Sequence, residues 1–285
     1  MKCYDTFLYS GMGTEPDLLE CRLRELEDSG VDKHVIIEGA LTFQGQPKML
    51  TLNEDWRGRF RRWRDRIVYV PHYPSAEQPG KEPGEAWARE HSSRMASHRG
   101  LAMAGARDGD IVLHGDVDEI PSREVIASLR EHADEITPCK LSLRFFMFDV
   151  DWEVPWRWNA PSVMRFGQLD DFTRLRETGW GTWPYGDAHG WHLTWLGGEA
   201  AAREKVHAFA HREAIYETEQ GLAAGKYYTE GVWWPGAGRP HETQFNAVEV
   251  DDSWPEWIYR SWDPSGQRPV GPAPAVWFRP RASAC

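Results

Sequence analysis

Asp110-Ile111-Val112-Leu113-His114-Gly115-Asp116-Val117-Asp118-Glu119-Ile120-Pro121 runs from a short apolar stretch directly into three carboxylates within four residues. Residues 110–113 read as a short buried strand, since Ile111, Val112 and Leu113 are the branched apolar run of a strand covered on both faces. The strand breaks at His114-Gly115, so Asp116, Asp118 and Glu119 fall at its carboxyl end. Like charges this close repel, which makes the cluster costly unless it is solvated or neutralised. A hard divalent cation such as Mn²⁺ or Mg²⁺ takes oxygen ligands and relieves that repulsion. It would also hold a diphosphate and screen the charge that builds as the diphosphate leaves. Asp116 and Asp118 are therefore candidate metal ligands; an isolated D-x-D can also be a solvated acidic turn.

Upstream, the pattern alternates. Residues 2–8 read as a buried strand, and 15–27 as a helix with Leu18, Leu19, Leu23 and Leu26 at helical spacing, stopped by Ser29-Gly30. Residues 34–37 and 67–70 are β-branched runs, the second ended by Pro71, and 74–84 read as an exposed loop. Residues 85–107 read as one long helix carrying Arg89, Arg94 and Arg99. Strands alternating with helices imply βαβ units and a largely parallel sheet, in which ligands bind beyond the carboxyl ends of the strands. The acidic cluster stands at that end.

Downstream, a helix over 122–133 with Ser122 as its N-cap is expected, then a strand over 141–150. The stretch 151–185 is rich in Trp, Pro and Gly and weakly periodic, so it is expected to be irregular surface packed on the sheet. A strand over 191–196 and a helix over 199–211 follow, separated by the Gly197-Gly198 turn. With no repeat and no linker, residues 1–285 read as a single α/β domain with a mostly parallel central sheet and flanking helices.

Composition narrows the partners. The chain carries 33 Lys plus Arg against 44 Asp plus Glu, a net charge of −11, which argues against a phosphate-backbone footprint and hence against nucleic acid. No apolar run approaches the roughly 18 residues of a membrane span. The opening Met1-Lys2-Cys3-Tyr4-Asp5 reaches an acidic residue too early for a signal peptide. Cys3, Cys21, Cys139 and Cys285 lie far apart without a C-x-x-C pair, as expected of reduced thiols in a cytoplasmic protein. The 16 Trp residues suit core packing, or sugar platforms, since sugar C–H faces stack on indole.

Blocks along the chain resemble glycosyltransferase family 17. They begin with Tyr4-Asp5-Thr6-Phe7, Glu15, Leu18-Leu19-Glu20 and Arg22-Leu23, and continue with Val35-Ile36-Ile37-Glu38 and the run from Thr42 to Lys48. Arg89-Glu90-His91, Arg99-Gly100-Leu101, the Asp116-to-Pro121 string, Gly190-Trp191-His192-Leu193, Gly197-Gly198, Lys205 and Phe209-Ala210-His211 complete the set. The resemblance runs from residue 4 to about 213. It implies a GT-A fold, a UDP-sugar donor (N-acetylglucosamine by family habit) and inversion at the anomeric carbon. It divides the domain into a nucleotide-binding part, 1–121, and an acceptor-side part with a C-terminal tail, 122–285, with the Trp-rich region building the acceptor surface. By the habit of such enzymes, Asp5, Thr6 and Glu38 are expected near the uridine. Arg89, Arg94 and Arg99 are candidates to face the nucleotide, and Asp116 and Asp118 to hold metal and diphosphate. His192 and His211 are candidates for a third metal ligand.

Inversion needs a general base for the acceptor hydroxyl. Asp187, just before Gly190-Trp191-His192, is the first candidate, with Asp151, Glu153 and Glu199 as further possibilities. His207 and His211 share a helix face, but without H-E-x-x-H they are no zinc-protease pair. Two other readings of the same residues remain: a metal-dependent nucleotidyltransferase, which usually brings a basic Gly-rich loop after its first strand, and a non-catalytic carbohydrate-binding protein using its Trp surface.

Overall fold

A computed structural model describes residues 1–55, 58–74, 83–208, 210, 219, 232–233, 243–251, 254–255 and 258. The chain opens with β1 (Cys3–Tyr9), α1 (Glu15–Glu25), β2 (Lys33–Gly39), the short α2 (Leu52–Asp55) and β3 (Ile67–His72). Next come α3 (Pro83–Met95), α4 (Ser97–Ala104), β4 (Ile111–Asp116), β5 (Glu119–Pro121), α5 (Arg123–Glu131), β6 (Cys139–Lys140), β7 (Arg144–Met147) and β8 (Trp152–Glu153). β9 (Ser162–Arg165), α6 (Phe172–Glu177), β10 (Gly190–Thr194) and α7 (Gly198–Ala208) lead to β11 (Val232–Trp233), β12 (Thr243–Gln244) and β13 (Asn246–Ala247).

Two sheets organise these elements. In the six-stranded sheet, ordered β3-β2-β1-β4-β9-β6, the first four strands are mutually parallel, and β9 runs antiparallel to both β4 and β6. The five-stranded sheet, ordered β13-β8-β7-β10-β5, is mixed: only β7 and β10 are parallel. The expectation of a largely parallel sheet thus describes the N-terminal half and not the second sheet. β11 and β12 pair by themselves.

β1 is buried along its whole length, and its alternation serves two cores. Phe7 and Tyr9 pack with Leu18, Leu19 and Leu23 of α1, whereas Tyr4 and Leu8 pack with Val35, Val112 and Leu101 of α4 on the opposite face. Asp5 lies on the α1 side and Thr6 on the α4 side, where its hydroxyl meets that of Ser97 at 3.3 Å.

Asp5 is buried only because Arg22 of α1 reaches it. The guanidinium donates from Nε and Nη2 to the two carboxylate oxygens at 2.9 and 2.5 Å. His34 Nδ1 lies 2.9 Å from Oδ2. Burial pushes the Asp5 carboxyl up, but Arg22 and His34 outweigh burial and hold it well below the usual carboxylate range. The remaining Arg22 nitrogen donates to the backbone carbonyls of Asp116 and Glu119 at 2.8 and 2.7 Å. One side chain therefore ties α1, β1 and the acidic loop together.

Three sequence expectations change. The helix expected over 85–107 is two helices broken at Ala96, whose N–H is shared between the carbonyls of Ser92 and Ser93. The break lets α4 lie flat on the sheet: a Cβ on Gly100 would stand 2.2 Å from Val35 Cγ1 and 2.8 Å from Val70 Cγ2. The strand expected over 141–150 shrinks to β7, because Phe148 takes a left-handed conformation (φ 67°). The stretch 151–185 is not wholly irregular, since β9 joins the first sheet between β4 and β6, and Asp171 caps α6 by accepting from Arg174 N–H at 2.9 Å. Ser122 caps α5 as expected, accepting from Val125 N–H at 3.2 Å. Among the described residues, no helix is long and apolar enough to cross a membrane.

Gly190 opens β10 at φ 135°, and a Cβ there would lie 2.1 Å from the Ile120 carbonyl oxygen. Gly190→Ala is expected to lower stability by about 3 kcal/mol through backbone strain and overpacking, measurable by urea unfolding. Arg22→Met should cost about 3–5 kcal/mol at pH 7, because it leaves a buried carboxylate unpaired. The depressed folded-state value of Asp5 means its contribution is complete above the unfolded value of about 4 and is lost as pH falls below that. The Arg22→Met penalty should accordingly be smaller at pH 3 than at pH 7; an equal penalty would refute the ion-pair account.

Candidate active site

The carboxyl ends of β1, β2 and β4 open on a cavity of about 590 Å³. Its floor is formed by the turn after β1 (Ser10, Met12–Glu15), its walls by α3, α6 and α7, and its far side by β7, β10 and the Trp156–Trp158 segment. Asp116 and Asp118 enter it from the end of β4 because Val117, between them, points the other way into the α1-side core.

Each aspartate meets cations. Asp116 accepts from Arg94 of α3 at 3.0 Å and from Arg176 of α6 at 2.8 Å. Burial alone would raise its carboxyl, but Arg176 and Arg94 hold it well below the usual range. Asp118 accepts from Lys205 of α7 at 2.5 Å and lies 3.5 Å from His192 Nε2 of β10. Here too burial is outweighed, by Lys205 and His192, and the carboxyl is held well below its ordinary value.

Glu119 is buried behind this pair. It accepts the Asp116 N–H at 2.8 Å, Arg176 at 2.6 and 2.7 Å, and the indole N–H of Trp158 at 2.5 Å. Arg176 is aimed from behind as well: Lys140 Nζ donates to the carbonyls of Leu175 and Arg176 at 2.8 and 2.5 Å and to Ser162 Oγ at 2.9 Å. These bonds satisfy carbonyls at the end of α6. Burial, with Arg176 adding to it, lowers Lys140 to about 8.

Aromatic side chains adjoin the cluster. The His192 ring packs on both Phe145 (4.7 Å, 17°) and Trp158 (4.5 Å, 30°), whose own ring centroids lie 5.3 Å apart. Its Nδ1 is buried with no hydrogen-bond partner among the described residues. Trp156 and Trp195 also line the cavity, and Trp156 is 44% exposed.

The residues expected in the site divide accordingly. Asp116, Asp118, Arg94 and His192 converge on the cavity. Asp5 and Thr6 do not line it, because β1 continues to Tyr9 and places both in mid-strand, inside the two cores. Glu38 is buried beneath the loop after β2, where it accepts from Thr51 N–H, Leu52 N–H and Tyr69 O–H at 2.8, 3.2 and 2.8 Å. Arg89 donates to the Phe43 carbonyl at 2.7 Å and Arg99 to that of Pro71 at 2.6 Å; neither lines the cavity. Asp187 is exposed on the turn before β10 and does not line the cavity.

Of the further base candidates, Asp151 is buried outside the cavity lining and Glu153 is paired with Arg144 at 3.0 Å. The Glu199 side chain and His211 lie outside the described residues. His207 is exposed, 3.0 Å from Glu219.

Sequence reasoning missed Arg176 as a site residue. It lies in the stretch read as irregular, and nothing in its surroundings signalled that α6 would aim it at Asp116. Lys205 stood in a family-like block without a role. Glu15 also lines the cavity, accepting the N–H groups of Ser10 and Gly11 at 2.5 and 3.2 Å, and burial raises its carboxyl.

The donor set suits a hard divalent cation in kind: two carboxylates and an imidazole nitrogen. It is not drawn into one coordination sphere, since among the described residues no three His, Cys, Asp or Glu side chains stand close enough to chelate. The protein's own cations hold the aspartates instead.

The human and rat proteins named beta-1,4-mannosyl-glycoprotein 4-beta-N-acetylglucosaminyltransferase are each 29% identical to this chain over 146 residues, 50% of the chain and 26% of the relative. The chain thus spans about a quarter of the length of these curated relatives. Among solved structures, 4-diphosphocytidyl-2C-methyl-D-erythritol synthase aligns with a TM-score of 0.38 at 15% identity, over 62% of this chain and 85% of that one. The sequence profile of glycosyltransferase family 17 matches residues 1–224. That span contains the strand-end aspartates, both site arginines and Lys205, and the chain belongs to glycosyltransferase family 17.

Proposed function

We propose that this glycosyltransferase moves N-acetylglucosamine from a UDP-sugar to a hydroxyl of a carbohydrate or small-molecule acceptor, with inversion at the anomeric carbon, on a GT-A scaffold. The observation that carries the reading is that one cavity is lined by both charged and aromatic groups. Asp116, Asp118, Arg94, Arg176 and Lys205 crowd the strand ends, and Phe145, Trp156, Trp158 and Trp195 line the same cavity, Trp158 touching both Glu119 and His192. The charged groups suit a nucleoside diphosphate, for which Arg and Lys are the natural partners. The aromatic groups suit a sugar ring, which stacks its C–H face on indole and directs its hydroxyls to polar neighbours. The N-acetylglucosamine assignment follows the name carried by the mammalian relatives.

Asp116 and Asp118, with His192 as a third donor, would hold Mn²⁺ or Mg²⁺, which supplies positive charge to the departing diphosphate. The chain's own residues do the rest. Arg94 and Arg176 bring fixed positive charge to the leaving group, and burial strengthens their field there. The aromatic side chains orient the acceptor and exclude water from the reacting carbon.

The base that takes the acceptor proton has to reach the cavity. Asp187 does not, in this arrangement. Among the described residues, four carboxylates outside the Asp116–Glu119 cluster line it. Glu15 is held by two backbone amides, Glu90 by Arg94 and Glu177 by His91. Glu204, on α7, is the one to test first.

With UDP-N-acetylglucosamine, Mn²⁺ and an acceptor panel, UDP release with formation of a glycosylated product is expected; pyrophosphate release would refute glycosyl transfer as the reaction. Asp118→Asn and Asp116→Asn should each lower turnover at least about 100-fold, as removal of a key electrostatic group does. A variant of either that keeps wild-type turnover would remove that aspartate from the site. Glu204→Gln should lower kcat about 100-fold or more while leaving UDP affinity within about twofold. A change in affinity alone would make Glu204 a binding residue.

A further inference from the structure

β7 and β10 run parallel, and their last paired residues are Met147 and Thr194. Up to that level both strands alternate as a pleat requires. Phe146 of β7 and Trp191 and Leu193 of β10 pack in the α1-side core, whereas Phe145, Met147, His192 and Thr194 line the cavity. The next residue on each strand, Phe148 and Trp195, should therefore turn away from the cavity. Neither does. Both pack with Phe145 and Met147 in the cluster on the cavity side, and it is Val150 and Leu196 that resume the α1-side core.

Backbone conformation breaks the alternation. Among the described residues, Phe148 (φ 67°) and Trp195 (φ 59°) are the non-glycine residues at positive φ. The Phe148 N–H donates to the Thr194 carbonyl at 3.2 Å, and the two aromatic rings meet edge to face at 5.4 Å. For a bulky side chain this left-handed region is an outlier, one that glycine occupies without steric cost. Phe148 has a structural reason to adopt it, since it is buried and packs 6.2 Å from Phe245. Trp195 is only half-buried, so packing offsets less of its strain, and it lines the cavity. Residues strained in this way cluster at active sites and ligand clamps.

The surroundings of Trp195 select its ligand. Thr194, one residue before it, accepts from Lys205 at 3.0 Å, and Lys205 reaches Asp118 at 2.5 Å. Trp195 itself belongs to the second sheet's cluster, with Phe145, Met147 and Phe245. The arginines read above as nucleotide partners come instead from α3 and α6 and meet Asp116 at the end of the first sheet's β4. We propose that Trp195 is a specificity-determining residue of the acceptor site: the left-handed backbone after β10 keeps its indole on the cavity side, where it stacks on the acceptor's sugar ring. An indole offers the flat apolar surface that a sugar's C–H face requires. The inference rests on the UDP-sugar reading above and adds the residue that selects the acceptor.

The test pairs stability with kinetics. Trp195→Gly and Trp195→Ala both lose the indole, but only alanine retains the left-handed penalty. The glycine variant should therefore melt about 2–4 °C above the alanine variant, the reverse of their usual order in a strand. UDP release from UDP-N-acetylglucosamine is then followed with Mn²⁺ and the methyl glycosides of glucose, galactose, mannose and N-acetylglucosamine as acceptors. Both variants should raise the acceptor KM on the order of tenfold while the donor KM stays within about twofold. Trp195→Phe, which keeps a flat ring, should hold the acceptor KM within about threefold of wild type. Trp195→Leu, which keeps apolar volume without a flat face, carries the kinetic test if the small variants do not fold.

A glycine variant that melts at or below the alanine variant, or an acceptor KM unchanged in Trp195→Gly or Trp195→Leu, overturns the proposal and leaves the transferase reading intact. So does a rise in donor KM alone, or a wild type that hydrolyses UDP-N-acetylglucosamine but transfers to none of the glycosides. A wild type that releases no UDP under any of these conditions overturns both.

Discussion

Arg22 carries a constraint on which the rest of this structure depends. Parallel sheets covered on both faces tolerate few polar side chains, yet β1 places Asp5 in mid-strand with no solvent exposure. The carboxylate is viable there because Arg22 reaches it bidentately from α1 with good geometry. The same guanidinium donates to the carbonyls of Asp116 and Glu119. The loop bearing the site's aspartates is thereby fixed to the first strand and helix through backbone contacts, so its carboxylates remain available to the cavity. Arg22 stacks over Phe7 at 4.2 Å, which places the ion pair within the α1-side core.

The site built on that loop is a dense arrangement of opposite charges rather than a bare acidic cluster. Four elements reach the two aspartates: α3 through Arg94, α6 through Arg176, β10 through His192 and α7 through Lys205. Buried charge networks of this kind contribute little net stability, because desolvation offsets much of the attraction. Their value here is positional. They hold cationic groups at the strand ends, beside aromatic side chains that line the same cavity. Fixed dipoles and charges in a water-poor cavity act strongly on charge that develops during a reaction.

Much of the first half of the fold was legible in the sequence because its signals are local. Strands β1 to β4 are apolar runs of the right length, α1 shows helical leucine spacing, and Ser122 caps α5 by side-chain chemistry. The split of α3 from α4 was not legible, since no breaker stands at Ala96 and the cause is the fit of Gly100 on Val35 and Val70. β9 was missed for a related reason: four residues flanked by Trp, Pro and Gly carry no clear period, and their strand character comes from pairing with β4.

The site divides along the same line. The sequence by itself determined that Asp116 and Asp118 would stand at the carboxyl end of a buried strand, and its family-like blocks identified the kind of enzyme. Both follow from residue type and near-neighbour order, which a linear pattern preserves. Only the tertiary structure decided that Asp5, Thr6 and Glu38 belong to the interior, that Asp187 stands outside the cavity, and that Arg176 and Lys205 face the aspartates. The pairs Arg176–Asp116 and Lys205–Asp118 are 60 and 87 residues apart in the chain. Their meeting depends on where α6 and α7 pack against the sheets, and no local spacing encodes that.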